Sequence, residues 1–377
     1  MHWIALEQID SWFFRTGRPM HLGETPVTKT ESAFPPQAHT VVGALRASLA
    51  RSNGWSGRSK WTQDIQDVLG SEQNLGKLQF MGPFLCLENQ PVFPVPRHLL
   101  GRLQDLGNGQ EPVWNPAALL APGAPVRCDL AAGPVCLPQP VKCMPNENLD
   151  ELKNIPDAYV TLAGMDAILR GQLPAPETIL PASTIWLPES RIGIQRQPKE
   201  RTTGADGLFS TVHIRLRKDV HMCMGVAGVP QEWIVPSGFI PFGGEGRVAA
   251  LSDVQEIPLP QHVRPADGSS IALVFLTPVD FADAPLEPGK SLPGTEGLTL
   301  VSACLDRPLK LGGWCSIKHQ PLALRPLLPA GSVLFCTAES RNLDSILLDT
   351  AIRLGQRTEY GFGLAAIGVW PTKEAHS

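Results

Sequence analysis

Proline and glycine constrain this chain more than any other feature: 37 prolines and 35 glycines stand among 377 residues, about a fifth of the sequence. Proline removes a backbone donor and fixes φ, while glycine frees the backbone for turns, so long uninterrupted helices are not expected. The level exceeds the average usage of about 12% without reaching that of low-complexity chains. With 43% hydrophobic and 18% charged residues, apolar mass suffices for real cores. The expectation is an α+β protein of short strands and long connections, in about two domains at roughly 150 residues each.

Periodicity places the elements. His2–Glu7 suits a first strand, and Trp12-Phe13-Phe14-Arg15 runs into a turn at Gly17-Arg18-Pro19. Residues 23–32 are polar and read as a loop. After Pro35-Pro36, Val41, Val42, Leu45 and Leu49 recur at helical spacing, predicting a helix over 37–50 closed by Asn53-Gly54. Arg46 and Arg51 project from its other faces. Leu78–Leu87 reads as a strand broken by Gly82-Pro83, residues 101–158 as a Pro/Gly-rich insertion, Tyr159–Leu169 as a second helix, and 184–195 as a strand. That β, α, β, α, β order is what a split βαβ, ferredoxin-like unit gives. In the second half, Phe209–Leu216 alternates as a strand with Met222–Val226 as its expected hairpin partner. Ile271–Leu276 and Ser332–Cys336 read as buried strands, Asp344–Leu354 as a last helix and Leu364–Trp370 as a final strand. The expected units are 1–205 and 206–377.

The net charge of −4 and pI near 6.2 give no overall basic balance. A nucleic-acid partner therefore requires a local patch. One window offers it: Arg191, Arg196, Lys199 and Arg201 face only Glu189 and Glu200, and Arg215, Arg217 and Lys218 follow. Such a run either neutralises several phosphates or forms a solvated face. Phe242-Gly243-Gly244-Glu245-Gly246-Arg247 lacks a Walker lysine and the spacing of a dinucleotide fingerprint, so it reads as a tight loop displaying Arg247. Near the C-terminus, Gly361-Phe362-Gly363 offers backbone amides suited to an anion, or a plain turn into the last strand.

Catalytic signals are sparse. His39 is the one residue placed as a general base for a metal-independent ribonuclease, and the acidic residues show no D-x-D or H-x-D pattern. No G-x-S-x-G or Cys/His signature is present. Eight cysteines include no C-x-x-C pair. Cys128, Cys136 and Cys143 with His98 form a candidate metal set, weighed against small apolar cysteines in a reducing compartment, which is the preferred reading. No metal or cofactor is expected. Glu7 and Asp10 interrupt any signal-peptide core, and no stretch reaches the ~20 apolar residues of a membrane span. A cytoplasmic protein without a membrane partner is expected.

Several segments resemble one family. Asp10-Ser-Trp-Phe-Phe-Arg15-Thr-Gly-Arg18-Pro19 is similar to the opening of the third-named subunit of the type III-B CRISPR effector, the Cmr complex. Ala33-Phe34-Pro35-Pro36 through Arg46 resembles its signature loop and first helix. Glu189-Ser-Arg191-Ile-Gly193-Ile194, Phe242 through Arg247, and Pro329-Ala330-Gly331-Ser332-Val333-Leu334-Phe335 match three later motifs, in register from residue 4 to 370. In the wider RAMP superfamily the C-terminal loop runs Gly-apolar-Gly, five residues, Gly-apolar-Gly. Here the first half is Arg353-Leu354-Gly355, with arginine in place of glycine.

The resemblance implies two packed ferredoxin-like (RRM-like) units in a non-catalytic antiviral-defence subunit. Such a subunit binds the repeat-derived 5′ handle of the crRNA, docks on the large polymerase-like subunit and abuts the backbone RAMP subunit among the other Cmr subunits. The residues it assigns to RNA are Arg15, Arg18, Arg46, Arg191, Arg196, Lys199, Arg201, Arg247, Arg353, Gly361 and Gly363, with no catalytic residue. Trp12, Phe13 and Phe14 are either base-stacking residues or core. Two other functions remain open: a guide-processing endoribonuclease using His39, and a module that touches proteins only.

Overall fold

The structure, a computed structural model, describes residues 1–15, 32–71, 74–105, 107, 112–128, 133–144, 148–194, 208–282, 284–295, 297–315, 320–338, 347 and 352–372. It is an α+β fold dominated by antiparallel sheets, with three α-helices among the described residues. Two compact units interleave along the chain. The first comprises Met1–Pro83, Ile185–Glu256 and Lys310–Arg325; the second comprises Phe84–Thr184, Ile257–Leu309 and Pro326–Ser377.

In the first unit, the strand His2–Gln8 lies between Val220–Ala227 and Val248–Val254, antiparallel to both. Its four consecutive residues Trp3, Ile4, Ala5 and Leu6 are all buried. A strand covered on both faces needs such a continuous apolar run rather than alternation. Gly238–Pro241 forms the edge beyond Val248–Val254. Met222–Val226 was expected to pair with Phe209–Leu216; instead it belongs to Val220–Ala227 and pairs with His2–Leu6. Phe209–Leu216 pairs with the strand before it, so Trp186–Ile194 and Leu208–Leu216 make a two-stranded antiparallel ribbon. Helix α1 (Ala38–Ser52) buries Val41, Val42, Leu45 and Leu49, the stripe its spacing predicts. Helix α2 (Gln63–Leu69) follows after a short connection.

The second unit is built on a five-stranded sheet in the order Leu298–Cys304, Val333–Ala338, Ser270–Phe275, Leu364–Val369, Ile352–Arg353. Ile271, Leu273 and Phe275 point to one face with Leu334, Cys336, Ala365 and Ile367, forming its main core. Residues 101–158, read as weakly patterned, contain most of a second sheet. Its order is Val135–Cys143, Val113–Val126, Leu99–Gln104, Lys153–Asn154. Prolines interrupt these strands and shift their register, which hides the period of two. The segment Tyr159–Leu169 divides into a strand, Ala158–Thr161, and helix α3 (Leu162–Leu169), whose first turn is capped by Thr161 Oγ1 accepting from the Gly164 amide at 3.3 Å. Most of the expected helix 344–354 lies outside the described residues, and its end, Ile352–Arg353, is a strand.

The cysteine set does not converge. Cys136 and Cys143 stand near opposite ends of Val135–Cys143, and at about 3.3 Å per residue they are roughly 20 Å apart. His98 is buried with its ring edge-on to Phe335. Among the described residues no helix is long and apolar enough to cross a membrane.

Candidate functional site

A charged constellation of the first unit forms where the segment after the first strand meets the ribbon. Trp12 and Ile214 exchange backbone hydrogen bonds at 2.9 and 2.7 Å, which brings Asp10 against the ribbon. On the ribbon, Glu189 lies opposite His213 and Arg191 opposite Thr211. Residues two apart on a strand share a face, and so do directly opposed residues. Glu189, Arg191, His213 and Arg215 therefore project together.

Asp10 gathers three arginines. Arg191 Nη2 donates to both its oxygens at 3.1 and 3.0 Å, Arg215 Nη2 at 3.0 Å and Arg247 Nη1 at 2.7 Å. Glu189 accepts from Arg191 Nε at 2.7 Å and from Arg215 Nε. Three guanidiniums thus share two carboxylates. Burial pushes the Asp10 carboxyl up, but hydrogen bonds from Arg215 and Arg191 outweigh it, and the net effect is below the ordinary carboxylate value. Hydrogen bonding from Arg215 is the main reason that Glu189 is also lowered. Both carboxylates hold their charge, and the arginines remain partly exposed at 29, 46 and 21% for Arg191, Arg215 and Arg247.

Behind this layer sits His213, fully buried. Its Nδ1 is 2.9 Å from Ser11 Oγ and its Nε2 is 3.0 Å from Glu245 Oε2. Its ring stacks on Phe13 at 5.2 Å. Burial is the chief cause holding its pKa below the ordinary histidine value; Glu245 pulls the other way and Arg247 adds to the lowering. Glu245 lies in the glycine turn, which closes through Phe242 N donating to Arg247 O at 2.7 Å and is tied to Phe13 by the Gly244 amide at 2.8 Å. The turn is tight, as expected, and it directs Arg247 onto Asp10.

The aromatic opening motif is core. Trp12, Phe13 and Phe14 are all buried, Trp12 and Phe14 meet Phe242 edge-on at 4.9 and 5.1 Å, and the Trp12 indole donates to Val248 O at 2.9 Å. They are not exposed stacking surfaces.

The other expected RNA residues are dispersed. Arg15 is exposed and bridges Ser32 through the backbone. Arg46 donates to the Ser71 carbonyl at 2.8 Å. Arg18, Arg196, Lys199 and Arg201 lie outside the described residues. In the second unit, Arg353 Nη1 donates to Thr358 O at 3.1 Å, bracing the C-terminal loop from within. The Gly361 and Gly363 amides donate to the carbonyls of Thr358 and Pro278. Both donors are engaged within the protein, one inside the loop and one on the segment after Ser270–Phe275. A Cβ on Gly363 would stand 1.8 Å from Leu354 O, with φ at +71°, so glycine is required there for close backbone approach. His39 is half-buried in the first turn of α1, against Gly313.

Sequence reasoning missed Asp10, Ser11, His213 and Glu245. Asp10 and Ser11 open a motif noted for its aromatics and arginines, while Glu189 two residues before Arg191 on a strand was the legible hint of an ion pair.

A family model described as CRISPR-associated protein (Cas_Cmr3) matches residues 4–370. The chain belongs to this family. It is a RAMP-type Cmr subunit. Among solved structures it is similar to a chain of the type III-B Cmr-beta complex bound to cognate target RNA, at 16% identity over 95% of this chain and 93% of that one, with a TM-score of 0.51. A chain of the same complex bound to cognate target RNA and AMPPnP matches at 14% identity, 95% and 91% coverage and a TM-score of 0.49. A chain of the Csm3–Csm4 subcomplex of a type III-A CRISPR-Cas interference complex matches at 9% identity, 90% and 94% coverage and a TM-score of 0.40. No curated protein matches the chain in sequence. The first of these structures shows a shared fold for this Cmr subunit.

Proposed function

We propose that this Cmr subunit is a non-catalytic part of a type III-B RNA-guided interference complex, holding the 5′ handle of the crRNA and docking the large polymerase-like subunit onto the backbone RAMP subunit. Two ferredoxin-like units underlie its two compact bodies in this reading. The observation that carries it is the arginine cluster on Asp10 and Glu189. Arg191, Arg215 and Arg247 exceed their carboxylate partners by one charge and stay partly exposed. Charge-assisted donors fixed in a fork geometry suit phosphate. The segment with Arg196, Lys199 and Arg201 continues from the same ribbon. The solved chain that shares the fold comes from a complex bound to cognate target RNA, which supports an RNA partner. His39 lies in the first turn of α1 near Gly313, and this reading assigns it no cleavage step.

The test is guide retention. Replacing Arg191, Arg215 and Arg247 together by Ala lowers the crRNA recovered with the purified complex while the subunit still assembles. Full retention in that variant refutes the assignment. Cleavage of a precursor transcript by the purified chain without metal, lost in His39→Ala, would instead establish the endoribonuclease.

A further inference from the structure

The connection between α1 and α2 carries a cluster that the arginine site does not use. Between residues 46 and 63 the sequence holds Arg46, Arg51, Arg58 and Lys60, the tryptophans Trp55 and Trp61, and no acidic residue. The chain as a whole has 36 acidic and 32 basic residues, so this segment runs against its balance. The fold makes the cluster three-dimensional. Trp55 and Trp61 meet edge-to-face at 6.1 Å and 87°. The Arg51 guanidinium lies over the Trp55 ring at 5.3 Å and that of Arg46 over Trp61 at 5.1 Å.

Two polar handles of this arrangement are engaged within the protein. The Trp55 indole N–H donates to the Ser59 carbonyl at 2.7 Å, which closes the connection on itself. Arg46 is held by the Ser71 carbonyl. Both rings are therefore oriented before any ligand arrives, each half-exposed with a guanidinium over one face. Arg51, Arg58 and Lys60 are exposed, and among the described residues neither Arg58 nor Lys60 enters an ion pair. Oriented aromatic faces ringed by cations form the platform on which successive bases stack while the backbone phosphates are neutralised. An acidic peptide satisfies the cations but makes no use of two perpendicular indoles.

We infer that Trp55 and Trp61, with Arg51, Arg58 and Lys60, form a second contact for single-stranded nucleic acid, built without any residue of the Asp10 cluster. Recognition there is by stacking and phosphate charge, so it tolerates sequence.

The experiment uses the full chain and 12-nucleotide oligouridylate or oligothymidylate carrying one photoreactive 5-iodo base, with adducts mapped by residue. Adducts are expected on Trp55 or Trp61. They persist when Arg191, Arg215 and Arg247 are replaced by Ala, so failure of the handle assignment leaves this result intact. The exposed pair Arg58→Ala/Lys60→Ala keeps the fold, lowers affinity and reduces the slope of log K against log salt by about 1.4, at roughly 0.7 per phosphate lost. Trp55→Leu/Trp61→Leu weakens binding roughly tenfold per ring. A preference for uridylate over thymidylate assigns the patch to RNA; equal binding assigns it to single strands of either sugar. Adducts confined to residues outside 46–62, or an unchanged salt slope in the charge pair, overturn the inference. So does capture of a dodecaglutamate peptide at this segment with no oligonucleotide binding.

Discussion

Arg247 Nη1 and Asp10 Oδ2 meet at 2.7 Å across 237 positions of sequence. Arg191 and Arg215 reach the same carboxylate, so Asp10 is the counter-charge that lets three guanidiniums share one small area. Asp10→Asn leaves them with Glu189 alone. Exposed ion pairs contribute little each, and Asp10 is 47% exposed, so the variant loses only about 1 kcal/mol in a urea melt. Its effect on RNA has the opposite sign. One negative charge fewer makes binding tighter and steepens the salt dependence. Weaker binding by a fully folded Asp10→Asn chain would mean that the carboxylate organises the arginines rather than offsetting them.

His98 makes the second unit sensitive to acid. It is buried, and burial depresses its pKa from 6.5 to about 4. A folded-state pKa below the unfolded value means that the unfolded chain binds the extra proton first, so stability is complete above pH 6.5 and declines as pH falls toward 4. The shift corresponds to a loss of about 3 kcal/mol over that window. His98→Phe, which replaces the imidazole by an uncharged ring next to Phe335, should flatten this part of the stability profile in denaturant titrations at stepped pH. Parallel profiles for parent and variant would place the histidine in a solvated setting instead.

How far the sequence reveals this fold depends on the range of the interactions. Helix α1 was legible because Val41, Val42, Leu45 and Leu49 repeat along one local stretch. Strands such as Leu364–Val369 were legible because a short apolar run is itself the signal. The partner of Phe209–Leu216 was not, because pairing is decided between segments: Met222–Val226, the nearer in sequence, joins the first strand far upstream, and the more distant Trp186–Ile194 closes the ribbon. The arginines of the candidate site were visible as a basic window. Of their carboxylates, Glu189 stood within that window, but Asp10 was not visible, since it stands 181 positions from Arg191. The glycine turn at 242–247 was read correctly as tight, but its tie to His213 through Glu245 required the structure.

Two glycines with similar backbone torsions separate strain from collision. Gly246 has φ of +66° with open space where a side chain would go, whereas Gly363, at +71°, would place a Cβ 1.8 Å from Leu354 O. Gly246→Ala meets only the left-handed penalty, roughly 1–2 kcal/mol. Gly363→Ala adds a clash with backbone that cannot move aside, and should cost more than about 4 kcal/mol, in the range reserved for severe core defects. Thermal melts of the two variants decide it; similar melting temperatures would show that the C-terminal loop yields.

Glu245 and His213 link the glycine turn to the ribbon, and their coupling gives a prediction with a defined sign. Burial lowers the His213 pKa, Arg247 lowers it further, and Glu245 acts against both. Glu245→Gln keeps the shape and a hydrogen-bonding group but removes the charge that favours the imidazolium. The His213 pKa must then fall further below its ordinary value, and the acid-side loss of stability extends to lower pH, since the unfolded histidine still protonates near 6.5. Ser11→Ala acts differently: it leaves buried Nδ1 without its partner at 2.9 Å, which costs about 1–3 kcal/mol at any pH where the ring is neutral. Histidine titration by NMR on both variants separates charge from hydrogen bonding. A His213 pKa that stays level or rises in Glu245→Gln would show that the Glu245 charge does not favour the imidazolium in the folded chain.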